Sequence, residues 1–161
     1  MSFKLGNKGE EFARSVFEKS NIDCEINEDY DKRYDYDLLC EYGRKKFTCE
    51  VKYDYMAEKT GNLAIEVNNC RANKPSGINV TKADLWVHII LQDGKKTMWA
   101  TTVANLKKFI KKTKPLRKVT AAGDGNADLL LYKADEILDP LFVRLDNVHK
   151  KTFLKHLKEL V

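Results

Sequence analysis

The chain has 161 residues, 43% hydrophobic and 33% charged, with only 8 Gly and 3 Pro. That balance excludes collagen-like, low-complexity and disordered classes and suits a single domain (1–161) with one core. Net charge is +5, with 16 Lys and Arg against 17 Asp and Glu in residues 1–100 and 13 against 7 in residues 101–161; the basic excess of the last third suits a surface that tracks a polyphosphate, or equally a solvated face.

There is no charged and apolar leader with a small-residue cleavage site, and no apolar run nears the length of a bilayer span. A soluble, intracellular (cytoplasmic) protein with no membrane partner is expected. Cys24, Cys40, Cys49 and Cys70 lack CxxC spacing, and Cys40 and Cys49 alternate with apolar neighbours. Buried free thiols in a reducing compartment are therefore expected rather than zinc ligands or disulfides.

In chain order, Gly6 and Gly9 precede an apolar stripe of Phe12, Ala13, Val16 and Phe17. The spacing predicts a first helix ending near Ser20, with Glu10 and Glu11 in a first turn where the helix dipole favours anions. Residues 24–27 form a short predicted strand, and Glu28 to Arg33 a turn or loop. From Tyr34 to Tyr42, Tyr36, Leu38, Cys40 and Tyr42 alternate with Asp35, Asp37 and Leu39. After the Gly43 turn, Phe47, Cys49, Val51 and Tyr53 alternate with Thr48, Glu50 and Lys52. Two such runs about a turn predict a hairpin with Asp37, Glu50 and Lys52 on one surface. Carboxylates kept close together repel unless a cation, a shared proton or a fixed base holds them, and hard oxygens of this kind suit Mg²⁺ or Mn²⁺. The alternative is the solvated face of an amphipathic hairpin.

Further along, Leu63, Ile65 and Val67 predict a strand on which Glu66 is exposed. A Pro75–Ser76–Gly77 turn leads through Thr81, read as a helix cap, to an apolar strand from Leu85 to Leu91. His88 in that strand reads as a satisfied core histidine. A hairpin at Gly94 and a strand at 98–101 precede a helix over 102–112, with Val103, Leu106, Phe109 and Ile110 inward and Lys107, Lys108, Lys111 and Lys112 outward. Residues 121–126 read as a Gly-rich loop rather than a phosphate cradle, since no helix follows directly. Strands at 128–132 and 142–145 and a final helix capped by Asp146 complete the order.

The ordered set GNKGEEFARSVF, DYDLL and FTCEVKYD resembles the core of the PD-(D/E)xK nuclease superfamily, the fold of restriction endonucleases and Holliday-junction resolvases. The resemblance covers about the first third of the chain, and its order and spacing are more specific than any one of its short motifs; no proline precedes Asp37, a feature the family often lacks. It implies an α/β, restriction-endonuclease-like core in which a central mixed sheet is flanked by helices, and a Mg²⁺- or Mn²⁺-dependent deoxyribonuclease acting on DNA, including branched recombination or repair DNA. By the same resemblance Glu10, in preference to Glu11, matches the helix glutamate, Asp37 and Glu50 the metal-binding carboxylates, with the Val51 carbonyl, and Lys52 the lysine. The lysine either orients the attacking water and neutralises phosphate or acts as a base. Segments E…SGI…TKAD are similar to those of phage nucleases and imply that Glu66, Ser76, Thr81 and Lys82 rim the site, beside the plain reading of turn and cap residues. A homodimer would supply the two active sites that cutting both strands requires. A junction-binding or other nucleic-acid-binding module that no longer cuts is the competing reading.

Overall fold

Period-two alternation builds the centre of the molecule. The computed structural model describes residues 2–122 and 125–161; Gly123 and Asp124 of the expected Gly-rich loop lie outside them. The order is α1 (Ser2–Lys19), β1 (Asp23–Ile26), a 3-10 turn at Tyr30–Lys32, β2 (Leu38–Tyr42), β3 (Lys45–Asp54), α2 (Ala57–Thr60), β4 (Asn62–Asn69), β5 (Lys74–Pro75), a second 3-10 turn at Gly77–Asn79, and β6 (Leu85–Gln92). Then come β7 (Lys95–Thr102), α3 (Val103–Lys112), β8 (Arg117–Ala122), β9 (Ala127–Lys133), α4 (Ala134–Leu141), β10 (Val143–Arg144) and α5 (Lys150–Leu160).

The central sheet runs β1-β2-β3-β6-β7-β10. Its pairs are antiparallel except β3 with β6, which are parallel with Glu50 opposite Trp86 and Lys52 opposite His88. A parallel pair needs a crossover, and the chain supplies one that carries α2, β4 and β5 across one face. Those last two strands join β9 and β8 in a second sheet, β5-β4-β9-β8. The α/β class with a mixed central sheet is thus what the chain adopts, and the second sheet is an addition to the expected plan.

Both faces of the central sheet are covered, which explains why β6 is buried from Leu85 through Ile90. On one face Leu38, Phe47, Cys49, Leu85 and Val87 pack with Ala13 and Phe17 of α1 and Phe153 and Leu157 of α5. On the other, Trp86 and Ile90 pack with Leu63 and Ile65 of β4, Val103 and Leu106 of α3, and Ile137 of α4. No helix among the described residues is long and apolar enough to cross a membrane.

Several expectations are corrected. Helix α1 starts at Ser2, so Gly6 and Gly9 lie inside it and Glu10 is well past its first turn; the dipole does not account for that glutamate. Gly9 is there because α1 presses on β3: a Cβ would stand 3.0 Å from Tyr53 Cβ. Strand β2 starts at Leu38 rather than Tyr34, so Tyr36 leaves the alternation and packs on the opposite core. Cys24 and Cys40 face each other across β1 and β2 with Cα atoms 4.1 Å apart and are disulfide-bonded; the expected buried free thiol is found at Cys49, while Cys70 is free but only half-buried. Thr81 caps no helix, since a short turn and then β6 follow it. Nor does Asp146 cap α5, which starts at Lys150; its carboxylate instead accepts from the Met98 amide at 2.6 Å and from Arg144. Arg117 and Lys118, which follow the α3 lysines in sequence, stand on β8.

Candidate active site

The site is built where β2 runs out against β3. Asp37, one residue before β2, donates its amide to the Cys49 carbonyl at 2.8 Å, so the chain is still in register with β3. Its carboxylate then turns back and accepts the Val51 amide at 2.7 Å, taking the place of the missing strand partner. Amide and carbonyl of one strand residue project from the same edge, which puts the Val51 carbonyl on the Asp37 side. Glu10 arrives from α1, carried to this edge by the close approach of Gly9 to β3, where an added Cβ would stand 3.5 Å from Val51 Cγ1 and 3.0 Å from Tyr53 Cβ. Glu10 is half-buried while Glu11 is exposed.

Alternation on β3 sends Phe47, Cys49, Val51 and Tyr53 toward α1 and α5. Glu50, Lys52 and Asp54 therefore share the other face. Glu50 Oε2 lies 2.9 Å from the Thr81 hydroxyl, which also lies 3.1 Å from the Asp35 carbonyl. The turn that presents Thr81 packs on β4 at Glu66: Gly77 has φ +53, and a Cβ there would stand 2.2 Å from the Glu66 carbonyl oxygen. Only glycine fits both the conformation and the contact.

Electrostatics separate this cluster from ordinary surface acids. Burial, then the charge of Asp37, pushes Glu50 up to about 8 against the pull of the Thr81 hydrogen bond, with smaller pushes from Glu66 and Glu10. Burial raises Asp37 to about 6 despite the Val51 amide. Glu10 rises to about 7 through burial and the charges of Asp37 and Glu11. Lys52 forms no ion pair within 4 Å among the described residues. Mutually destabilised carboxylates are thus gathered at one strand edge; the Lys52 charge is felt further along β3, at Asp54.

No family model, curated protein or solved structure matches this chain.

The donor set fits a hard divalent cation: Asp37, Glu50 and Glu10 offer carboxylate oxygens and Val51 a carbonyl. Among the described residues no three His, Cys, Asp or Glu side chains already stand at metal-holding distance. Glu50 is tied to Thr81 and Asp37 to the Val51 amide, so holding an ion requires these side chains to turn free oxygens toward it. The remaining expected residues lie further out. Lys82 is exposed and paired with Asp35 at 3.4 Å. Lys107, Lys108, Lys111 and Lys112 stand on the exposed side of α3, which covers the sheet face that Glu50 shares.

Beyond Lys52 on the same strand face lies a buried acid. Asp54 Oδ2 accepts the Ala64 amide at 2.9 Å and meets His88 Nε2 at 3.0 Å, while His88 Nδ1 lies 3.1 Å from Trp86 Nε1. An indole N–H can only donate, so Nδ1 accepts and the imidazole proton sits on Nε2, donated to Asp54. His88 is the satisfied core histidine expected. Burial alone would raise Asp54, but the His88 hydrogen bond, the Ala64 amide and the Lys52 charge outweigh it and hold the carboxyl below its usual value. The role of Asp54 escaped the sequence reading, although the alternation of EVKYD runs on to it; Thr81 was expected at the rim of the site by resemblance alone, and its bond to Glu50 had no signal in local spacing.

Proposed function

We propose that this chain is a Mg²⁺- or Mn²⁺-dependent deoxyribonuclease with a restriction-endonuclease-like core, hydrolysing phosphodiester bonds as the PD-(D/E)xK resemblance implies. The observation that carries the reading is the meeting of Glu10, Asp37 and Glu50 at the end of β2, with Lys52 two residues further along β3. Asp37, Glu50 and the Val51 carbonyl would hold the ion, and Glu10 a second ion or an outer water. The bound ion would supply charge stabilisation of the scissile phosphate and a water activated near neutral pH. Lys52, which makes no ion pair within 4 Å among the described residues, would neutralise the phosphate and orient the attacking water. Thr81 would fix the rotamer of Glu50 through its hydroxyl. The α3 lysines would track the DNA backbone, and a homodimer would bring two sites to a duplex or junction.

The test is incubation of the purified protein with plasmid, branched and single-stranded DNA in Mg²⁺, Mn²⁺ or EDTA. Cleavage in either metal and none in EDTA is the expected result. Binding without cleavage in every metal condition would instead identify a nucleic-acid-binding module on this scaffold. Light scattering with and without DNA tests the dimer, which a strict monomer in both conditions would reject.

A further inference from the structure

Tyr30 and Tyr34 are 73% and 62% exposed, an unusual setting for two large rings in one short segment. Among the described residues neither ring joins a hydrophobic core. The Arg33 guanidinium stacks on both, 3.6 Å from the Tyr30 ring centroid and 4.5 Å from that of Tyr34. The rings are held rather than trailing. Asn27 donates its side-chain amide to the Lys32 and Tyr36 carbonyls, both at 2.9 Å, and its backbone amide to the Asp37 carbonyl at 2.8 Å. The loop is closed at its base by Asp37 itself.

The loop also touches the other side of the site. The Asp35 carbonyl accepts the Lys82 amide at 2.8 Å and lies within reach of the same Thr81 hydroxyl that holds Glu50. Three residues of chain span at most about 10 Å, so Tyr34 and the Asp37 carboxylate can address one short stretch of a bound strand.

We propose that Tyr30, Arg33 and Tyr34 form a stacking platform for unpaired nucleobases beside the carboxylate site. Resting on the nuclease reading above, this makes a single strand, or the unpaired part of a branched one, the substrate class of that site. Charge favours stacking over backbone tracking: Glu28, Asp29, Asp31 and Asp35 outnumber Lys32 and Arg33 in the loop, so it has no net attraction for polyphosphate. Aromatic faces bind bases of any sequence and need no counterion release. The loop and the α3 lysines therefore divide the work, one taking bases and the other phosphates.

The test measures binding in EDTA, where cleavage plays no part. Fluorescently labelled single-stranded DNA, single-stranded RNA of the same sequence and a blunt duplex are titrated with wild-type full-length protein and with the double variants Tyr30→Ala/Tyr34→Ala and Tyr30→Phe/Tyr34→Phe. The alanine pair is expected to lose about tenfold or more in affinity for the single strands, with the duplex and the salt slope unchanged. The phenylalanine pair should bind as wild type. Which single strand binds more tightly tells DNA from RNA. Wild-type affinity in the alanine pair, or equal weakening on duplex, would overturn the platform. Loss of self-association with oligonucleotide binding intact would reject it in favour of an interface between two copies. A protein that cleaves DNA in Mg²⁺ but ignores the tyrosines refutes the platform alone. One that binds single strands through them but never cleaves refutes the nuclease reading alone.

Discussion

Two acids on one face of β3, Asp54 buried and Glu50 half-buried, meet opposite fates. Asp54 receives the His88 Nε2–H and the Ala64 amide, both on Oδ2, and is held below its usual value. Glu50, four residues earlier, has the Thr81 hydroxyl beside it but is driven up to about 8 by loss of solvent first and then by the charges of Asp37, Glu66 and Glu10. The strand and its face are alike; the partners differ. A carboxylate given donors settles the fold, whereas carboxylates given each other are an unpaid debt that protons or a divalent cation must cover.

The largest effect that would break this comparison is on chemistry. Asp37→Asn, Glu50→Gln and Lys52→Ala should each lower metal-dependent cleavage roughly a thousandfold in a plasmid-nicking assay, while Asp54→Asn should keep activity wherever it stays folded. Cleavage at wild-type rate by either carboxamide variant would show that the ion is held elsewhere.

Next comes stability at the satisfied end. His88→Ala strands the Asp54 carboxylate and the Trp86 N–H in the core, and should cost about 2–4 kcal/mol in urea unfolding at neutral pH. Little or no loss would mean that water or another donor takes its place.

A smaller effect of opposite sign belongs to the cluster. Glu10, Asp37 and Glu50 have folded pKa values raised to about 7, 6 and 8, so across this range the folded state binds more protons than the unfolded one. Their contribution to stability in EDTA therefore falls as pH rises from about 4 through 8. Asp54 acts the other way: its stabilisation is present above the unfolded carboxylate range and is lost as pH falls through its lowered value. Glu50→Gln should accordingly stabilise the metal-free protein at pH 8 by about 1–3 kcal/mol, and much less at pH 5. A destabilised variant at pH 8 would contradict the repulsion.

The smallest effect concerns the basic helix. Replacing Lys107, Lys108, Lys111 and Lys112 by Gln should flatten the dependence of DNA affinity on salt by about 0.9 for each lysine that touches a phosphate. An unchanged slope would show that α3 points away from the strand.

How far the sequence carried differs between these regions for a physical reason. Strand β3 was legible because ten residues of alternation, with an acid and a lysine on the polar side, fix which side chains share a face. Asp37 was legible as a neighbour of Glu50, but its place just outside β2 was not, since a side chain substituting for a ladder partner leaves no periodic trace. Thr81 meets Glu50 across 31 positions, and His88 reaches Asp54 only through the parallel register of β3 and β6. The Cys24–Cys40 pairing depends on the register of a four-residue strand, too short for pattern to set. Such contacts belong to the tertiary fold and not to local spacing.

The central claim is that the Asp37–Glu50 end exchanges protons for a divalent cation. Isothermal titration of Mn²⁺ at pH 7 in two buffers of different ionisation enthalpy measures binding and proton release together. Binding that releases protons, and that disappears in both Asp37→Asn and Glu50→Gln while surviving in Asp54→Asn, is the result expected. Mn²⁺ binding without proton release, or undiminished in the two carboxamide variants, would contradict it.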